Sequence, residues 1–400
     1  MPSCARRVVR SVVARSKESR MAQYLGNPGR RRLLGMVPGS LAWTLAGGLL
    51  GSGRIVSAAP VSPQTVPEVD ALSVRVLVDS YHHAFERSGR VGNLQIDRIG
   101  TSLTPDGPPR TLRNEWGLSL HLDSRRGDET RNTLLDFGFS GEVLNYNLEL
   151  VGIDPAEIDA LVLSHGHHDH YGGLVDFLRT HRSKIKKDLP FYLGGEECFC
   201  TREAGIGDNK GNFGSLDRGA LREAGLALHF AEQPSLIADH AFSTGQIPAE
   251  TFEKVLSPTR MAVGLKDGIG CDPAGLAPGK REATAFIPDD FQHEQATVYA
   301  IKGRGLVVIT SCGHRGVVNS VKAAQRISGI DKVHAVLGGF HLVPHDAAYL
   351  RQTAEALAEL NPDYLIPMHC SGEAFMDVAA DVLGDKVIRS STGTRFTFEA

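Results

Sequence analysis

Within residues 165–170 the run His-Gly-His-His-Asp-His puts His165, His167, Asp169 and His170, four potential metal ligands, on one short loop after the apolar run 158–163. A short apolar run bounded by turn residues reads as a buried strand, so the loop belongs at a strand end, and Gly172-Gly173 closes it. Alternate residues of an extended backbone leave on opposite faces. A sharply bent loop can then turn His165 and His167 to one side and Asp169 and His170 to another, with His168 directed away, so that two neighbouring cations share the loop. Neutral imidazole and carboxylate suit zinc, the expected metal, while manganese and iron accept similar donors.

Three further histidines follow segments with strand patterning: His314 in Thr-Ser-Cys-Gly-His, His341 in Gly-Gly-Phe-His, and His369 in Pro-Met-His-Cys. Periodicity and turn residues predict a first strand over 73–78 ending in Asp79, and a strand pair, 118–122 and 132–136. A helix start falls at Asp154-Pro155, a strand at 160–164 delivers the histidine loop, and a helix covers 172–181. The pattern resumes as a hairpin, 297–301 and 306–310, then a helix over 317–327, a strand over 334–337, a helix over 346–360 and a strand over 364–367. Residues 195–285, rich in Gly, Pro and short polar stretches, interrupt this alternation. They read as an insertion or lid over the site, the expected seat of substrate selectivity.

The string Leu-Ser-His-Gly-His-His-Asp-His-Tyr-Gly-Gly-Leu over 163–174 resembles the His-x-His-x-Asp-His signature of the metallo-β-lactamase superfamily, and Leu-Leu-Asp-Phe-Gly over 134–138 and the three later histidine motifs resemble its other pieces in order. Segments 114–119, 242–248, 293–296 and 339–342 resemble one subgroup, that of dihydropterin ribofuranosylaminobenzene phosphate synthase. The resemblance implies an α/β fold, the four-layer αβ/βα sandwich, over 71–400. It implies two divalent metal ions, one on His165, His167 and His314 and the other on Asp169, His170 and His369, with a hydroxide between them. Asp136 would orient the histidine loop by hydrogen bonds without touching metal, and Asp169 would also hold the hydroxide and pass a proton. The superfamily usually supplies a bridging aspartate after the later hairpin, where this chain has Cys312. Cys312 either bridges as a thiolate or packs beneath the loop, with packing the leading reading from cysteine's tendency to be buried. His341 is expected in or beside the site as a ligand, a supporting donor or a substrate-contacting acid, and His293 is the alternative to His314.

Composition narrows the setting. Residues 1–54 hold ten Arg or Lys against one Glu, leaving 33 basic and 45 acidic groups in the rest. An acidic body repels phosphate backbones, which argues against a nucleic-acid partner and for a small-molecule substrate. Arg30-Arg31-Arg32 leads into the weakly apolar run 36–50 and then Val-Ser-Ala-Ala-Pro at 56–60, which resembles a twin-arginine export signal over 1–59 with a linker at 60–70. The run is shorter than the roughly 20 apolar residues a membrane span needs. The expectation is therefore a periplasmic protein, handled by the twin-arginine export machinery and lacking a permanent span. Cys198, Cys200, Cys271, Cys312 and Cys370 remain past that signal. Five is odd, a Cys200 or Cys198 bridge to Cys271 cannot be deduced from spacing, and none is assigned.

Two cations sharing a water lower its pKa and stabilise an oxyanion, which suits hydrolysis. The leading expectation is an exported metal-dependent hydrolase of a small ester, lactone, amide or phosphoester. The alternatives are a pterin-related synthase on the same scaffold and a non-catalytic metal- or ligand-binding protein.

Overall fold

The computed structural model describes residues 55–57, 59–62, 65–103, 107–206, 208–256 and 259–400. The arginine run 30–32 and the apolar run 36–50, expected to form an export signal, lie outside these residues.

Ala71–Val78 shows how the sequence builds the layers. Its Leu72, Val74 and Val76 are buried on one face against the second sheet, and Leu77 and Val78 at its end join the cluster beneath the first layer of helices. Among the described residues this strand belongs to a ten-stranded sheet in the order 55–57, Ala227–Phe230, Pro190–Leu193, Ala160–Val162, Glu129–Leu135, Ser119–Arg126, Ala71–Val78, Arg395–Glu399, Leu94–Asp97, Gly89–Val91. Neighbours are parallel up to Glu129–Leu135 and antiparallel beyond it. The second sheet runs Ser235–Ile237, Ala241–Ser243, Thr297–Ile301, Gly305–Thr310, Val333–Gly339, Tyr364–Met368, with Glu68–Val69 paired to Thr297–Ile301.

Three apolar clusters define the layers. Helices Gly141–Val151 and Leu174–Thr180 bury Leu144, Leu148, Leu174 and Phe177 on the first sheet. Val74, Leu120, Val162, Val307, Leu337 and Ile366 fill the space between the sheets. Helices Val317–Ser328, Ala347–Glu359 and Glu373–Leu383 cover the second sheet through Val321, Leu350, Leu357 and Phe375. This is the four-layer αβ/βα sandwich, and its inner strands are buried on both faces, as parallel strands between layers require.

Register brings the motifs to one edge. Val162 pairs with Leu135, so the histidine loop leaves the sheet beside Asp136. Thr310 pairs with Gly338 and Gly339 with Met368, so the segments ending in Cys312, His341 and His369 leave the second sheet side by side. The close approach is tight enough that a Cβ on Gly338, at φ +114°, would lie 1.6 Å from the Thr310 carbonyl oxygen, so only glycine fits.

Residues 195–285 are interleaved with the sandwich and do not form one inserted block. Thr201–Ile206, Asn209–Gly214, Arg260–Ala262 and Ile287–Pro288 form a separate four-stranded sheet, whereas Ala227–Phe230 and Ala241–Ser243 belong to the two main sheets. These core strands span three or four residues, too short for a periodic signal. A disulfide joins Cys200 to Cys271, a pairing that the sequence left unassigned, and Cys198, Cys312 and Cys370 are free and buried.

Candidate metal centre

The histidine loop is not extended throughout. His167 keeps an extended backbone (φ −91°, ψ 147°), but His168–Tyr171 is a helical turn. Asp169 and His170 therefore reach their position through a helical turn, and strand alternation alone does not account for them. His168 packs edge-on against Phe139, outside the ligand groups.

Asp136 ties this loop down from beneath. Its carboxylate is fully buried and accepts from the Ser164 backbone N–H at 2.8 Å and the Ser164 hydroxyl at 2.6 Å, and it faces His170 Nδ1 at 2.7 Å. An Nδ1–H donated to Asp136 fixes the tautomer and leaves the Nε2 lone pair of His170 free. His167 is held on its far side, where Nε2 lies 3.1 Å from Thr259 Oγ1 and 4.0 Å from Asp289 Oδ2, so Nδ1 faces the cluster.

Ligand atoms of His165, His167 and His314 lie within 4.8 Å of one another, and those of Asp169, His170 and His369 form a second such group. Cys312 joins three more groups, with His165 and His170, with His314 and His341, and with His369 and Cys370. Its sulfur is 3.5 Å from His341 Nδ1 and 3.1 Å from Cys370 Sγ. His293 belongs to none of these groups. Its Nε2 accepts from Arg202 Nη2 at 3.0 Å and its Nδ1 faces Glu197 at 3.5 Å, so the geometry favours His314.

Burial pushes His165 and His314 well below the ordinary imidazole range, reinforced by the imidazoles around them, and holds His167 down to about 3. Their lone pairs stay available for a cation. Burial opposes the ionised form of Asp169, but His170 and His369 outweigh it and keep the carboxyl below its usual range. For His369, burial is outweighed by Cys370, Asp169 and Asp79, which raise it to about 9.

The donor set fits a metal. His165 Nε2, Asp169 Oδ1, His170 Nε2 and both ring nitrogens of His314 and His369 are buried without a hydrogen-bond partner. Leaving one such atom unmatched costs about 1–3 kcal/mol, and a cation among them answers several at once.

Backbone anchors that sequence patterning missed hold the later histidines. Asp79, at the end of the first strand, accepts from the His369 backbone N–H at 3.0 Å. Glu294 accepts from the backbone N–H groups of His314 at 2.9 Å and Arg315 at 2.6 Å. Phe291 stacks on the His314 ring at 3.7 Å. Asp136, His341 and His369 have φ of 56°, 48° and 49°, a left-handed backbone that non-glycine residues adopt rarely and that clusters at functional sites. Only the position of Asp79 directly after a predicted strand hinted at any of these anchors.

Two cavities open here. One of about 160 Å³ lies on the ligands themselves and is walled by Trp116, Ala204, Phe213 and Thr259. The other, about 310 Å³, shares Trp116 and His369 and adds Asp79, Tyr81, Val343 and Arg389.

Buried imidazoles, a carboxylate and thiols gather where two sheets of an αβ/βα sandwich adjoin, a donor set able to hold metal. The model of the metallo-beta-lactamase superfamily matches residues 126–188, the stretch from the strand pair through the histidine loop. The chain is 26% identical over 287 residues to 7,8-dihydropterin-6-methyl-4-(beta-D-ribofuranosyl)-aminobenzene-5'-phosphate synthase of Methanocaldococcus jannaschii, covering 71% of this chain and 90% of that protein. It is 27% identical over 247 residues to an uncharacterised protein of the same organism, covering 60% of this chain and 80% of the other. A solved metal-dependent hydrolase of the beta-lactamase superfamily shares the fold, with a TM-score of 0.58 and 22% identity over 82% of this chain and 99% of that one. Residues 126–188 thus match the metallo-beta-lactamase superfamily, within a fold shared with a solved protein of that superfamily.

Proposed function

We propose that the protein is a metal-dependent hydrolase acting on a small ester, lactone, amide or phosphoester. The observation that carries this reading is the convergence of unpartnered, buried imidazole nitrogens and the Asp169 carboxylate beneath an open cavity. His165, His167 and His314 would hold one divalent ion, and Asp169, His170 and His369 a second. Bound there, such ions supply a water of lowered pKa and stabilise developing negative charge.

The chain's own groups then divide the remaining work. Asp169 Oδ1, buried and unpartnered, is placed to take a proton from the attacking water and hand it to the leaving group. His341, with Nε2 unpartnered at the cavity wall, is placed to contact the substrate. Trp116 and Phe213 supply apolar wall to the cavity.

A second reading, pterin-related bond formation, is favoured by the similarity to the synthase. The assay is elemental analysis of the purified protein with turnover of ester, lactone and phosphodiester panels, alongside a pterin condensation assay. About two metals per chain with hydrolytic turnover supports the proposal, and condensation without hydrolysis overturns it. His167→Ala should lose one metal and all activity while staying folded. Full activity in that variant removes the ligand assignment.

We also propose export to an oxidising compartment. The arginine-led N-terminal sequence supports it, as does the Cys200–Cys271 disulfide, because such bonds persist mainly outside the reducing cytoplasm. Among the described residues no helix is long and apolar enough to cross a membrane.

A further inference from the structure

The two groups of imidazole and carboxylate ligands leave two buried thiols unused. Cys312 is the one side chain among the described residues that falls in three of the ligand groups. Its sulfur shares a 4.8 Å neighbourhood with His165 and His170 on one side and with His369 and Cys370 on another. A cysteine that merely packs beneath a loop faces carbon. This one has a ring nitrogen of His165 and one of His369 within 4.8 Å, and His165 Nε2 and both ring nitrogens of His369 are buried without hydrogen-bond partners. Cys370 is prepared in a second way, since its sulfur accepts the His341 backbone N–H at 3.2 Å, a contact that supports negative charge on sulfur. The backbone also makes room for it: a Cβ on Gly339 would come within 2.9 Å of the Cys370 sulfur.

We propose that Cys312 and Cys370 bind metal as thiolates, Cys312 between the two histidine groups and Cys370 beside His369. The centre then mixes nitrogen, oxygen and sulfur donors. Each thiol releases its proton to solvent as its sulfur–metal bond forms, so no oxidant or reductant is required. Thiolate donors favour zinc, iron(II) and cobalt(II) over manganese and magnesium, which prefer oxygen. The inference rests on the metal-centre reading and narrows it to a class of ion.

The test is cobalt(II) loading of the full chain, read by the near-ultraviolet thiolate-to-cobalt charge-transfer absorption, which needs no turnover. The expected result is a strong band in the wild type, lost for the most part in Cys312→Ser, weakened in Cys370→Ser and unchanged in Cys198→Ser, whose buried thiol falls in none of the ligand groups. Cobalt bound without that band overturns this inference and leaves the metal centre standing. No cobalt bound overturns both. Because a serine variant can fail to fold, cadmium loading of the wild type gives an independent reading: bound cadmium should show the ultraviolet thiolate-to-cadmium absorption, and cadmium bound without it overturns the thiolate assignment.

Discussion

Asp136→Asn changes one atom's chemistry and little shape, which makes it the sharpest probe of how the loop is held. The substitution suits the backbone, because asparagine tolerates the left-handed φ of 56° found there. One carbonyl oxygen keeps the bond from the Ser164 N–H at 2.8 Å. The new amide NH₂ replaces the oxygen that faces Ser164 Oγ at 2.6 Å and His170 Nδ1 at 2.7 Å. Two bonds to a charged acceptor are lost, each worth about 1.5–3 kcal/mol. The Ser164 hydroxyl can rotate to accept from the amide and recover part of one. The net cost to folding is about 2–4 kcal/mol. The effect on metal is more specific. With a donor opposite it, His170 Nδ1 must become an acceptor, so the proton moves to Nε2 and occupies the lone pair facing Asp169 and His369. Loss of such a supporting contact weakens metal binding about 10–100-fold. Denaturant unfolding of the metal-free protein measures the first quantity, and chelator competition measures the second. Wild-type affinity combined with reduced stability would show that Asp136 only braces the fold, and would refute the tautomer argument.

Arg202→Met strands the buried Asp289 carboxylate and should cost about 3–5 kcal/mol, while the double variant with Asp289→Asn should recover part of that loss in a double-mutant cycle. His121, on the strand Ser119–Arg126, is pushed from 6.5 to about 4 by burial, with Arg75 adding to it. The unfolded chain therefore binds a proton that the native chain refuses, and stability is lost as pH falls from 6.5 toward 4, by on the order of 3 kcal/mol from this group. His121→Gln should flatten that acid limb in pH-dependent unfolding, and an unchanged slope would contradict the assignment. Reducing Cys200–Cys271, which are 71 residues apart, should lower stability by about 4 kcal/mol on loop entropy. Mass spectrometry after alkylation under denaturing, non-reducing conditions should find both of these cysteines unlabelled and the free Cys198, Cys312 and Cys370 labelled.

The sequence disclosed what local periodicity encodes. The hairpin, the helix beginning at Val317 and the three strands ending before His314, His341 and His369 were legible because alternation and turn residues act over short windows. The outer layers were legible through family resemblance, which carries long-range information that periodicity lacks. Contacts such as Arg202 with Asp289, 87 residues apart, and Cys312 with Cys370, 58 apart, were not legible, since nothing in either segment specifies the other. The interleaving of residues 195–285 was hidden for a related reason. Ala227–Phe230 and Ala241–Ser243 are core strands too short to announce a period, and their places are set by neighbours that pair with them.

Arg202 bears on how a substrate can enter. Its strand belongs to the segment expected to serve as a lid, yet its guanidinium lies 1% exposed, donating to the carbonyls of Cys200 and Glu197 and to Asp289. It also fills the space where a Cβ on Gly166 would stand, 2.6 Å from Nη1, and so reaches into the histidine loop itself. Swinging this strand outward would drag a charge through apolar packing and unpair its carboxylate, a cost of several kcal/mol. The segment is a masonry wall keyed into the metal loop, not a hinged door. The larger cavity offers an open side instead, where Trp116 and Val343 stand 51% and 58% exposed at the rim. On the proposed hydrolase function, those two side chains set how wide a substrate that side can admit.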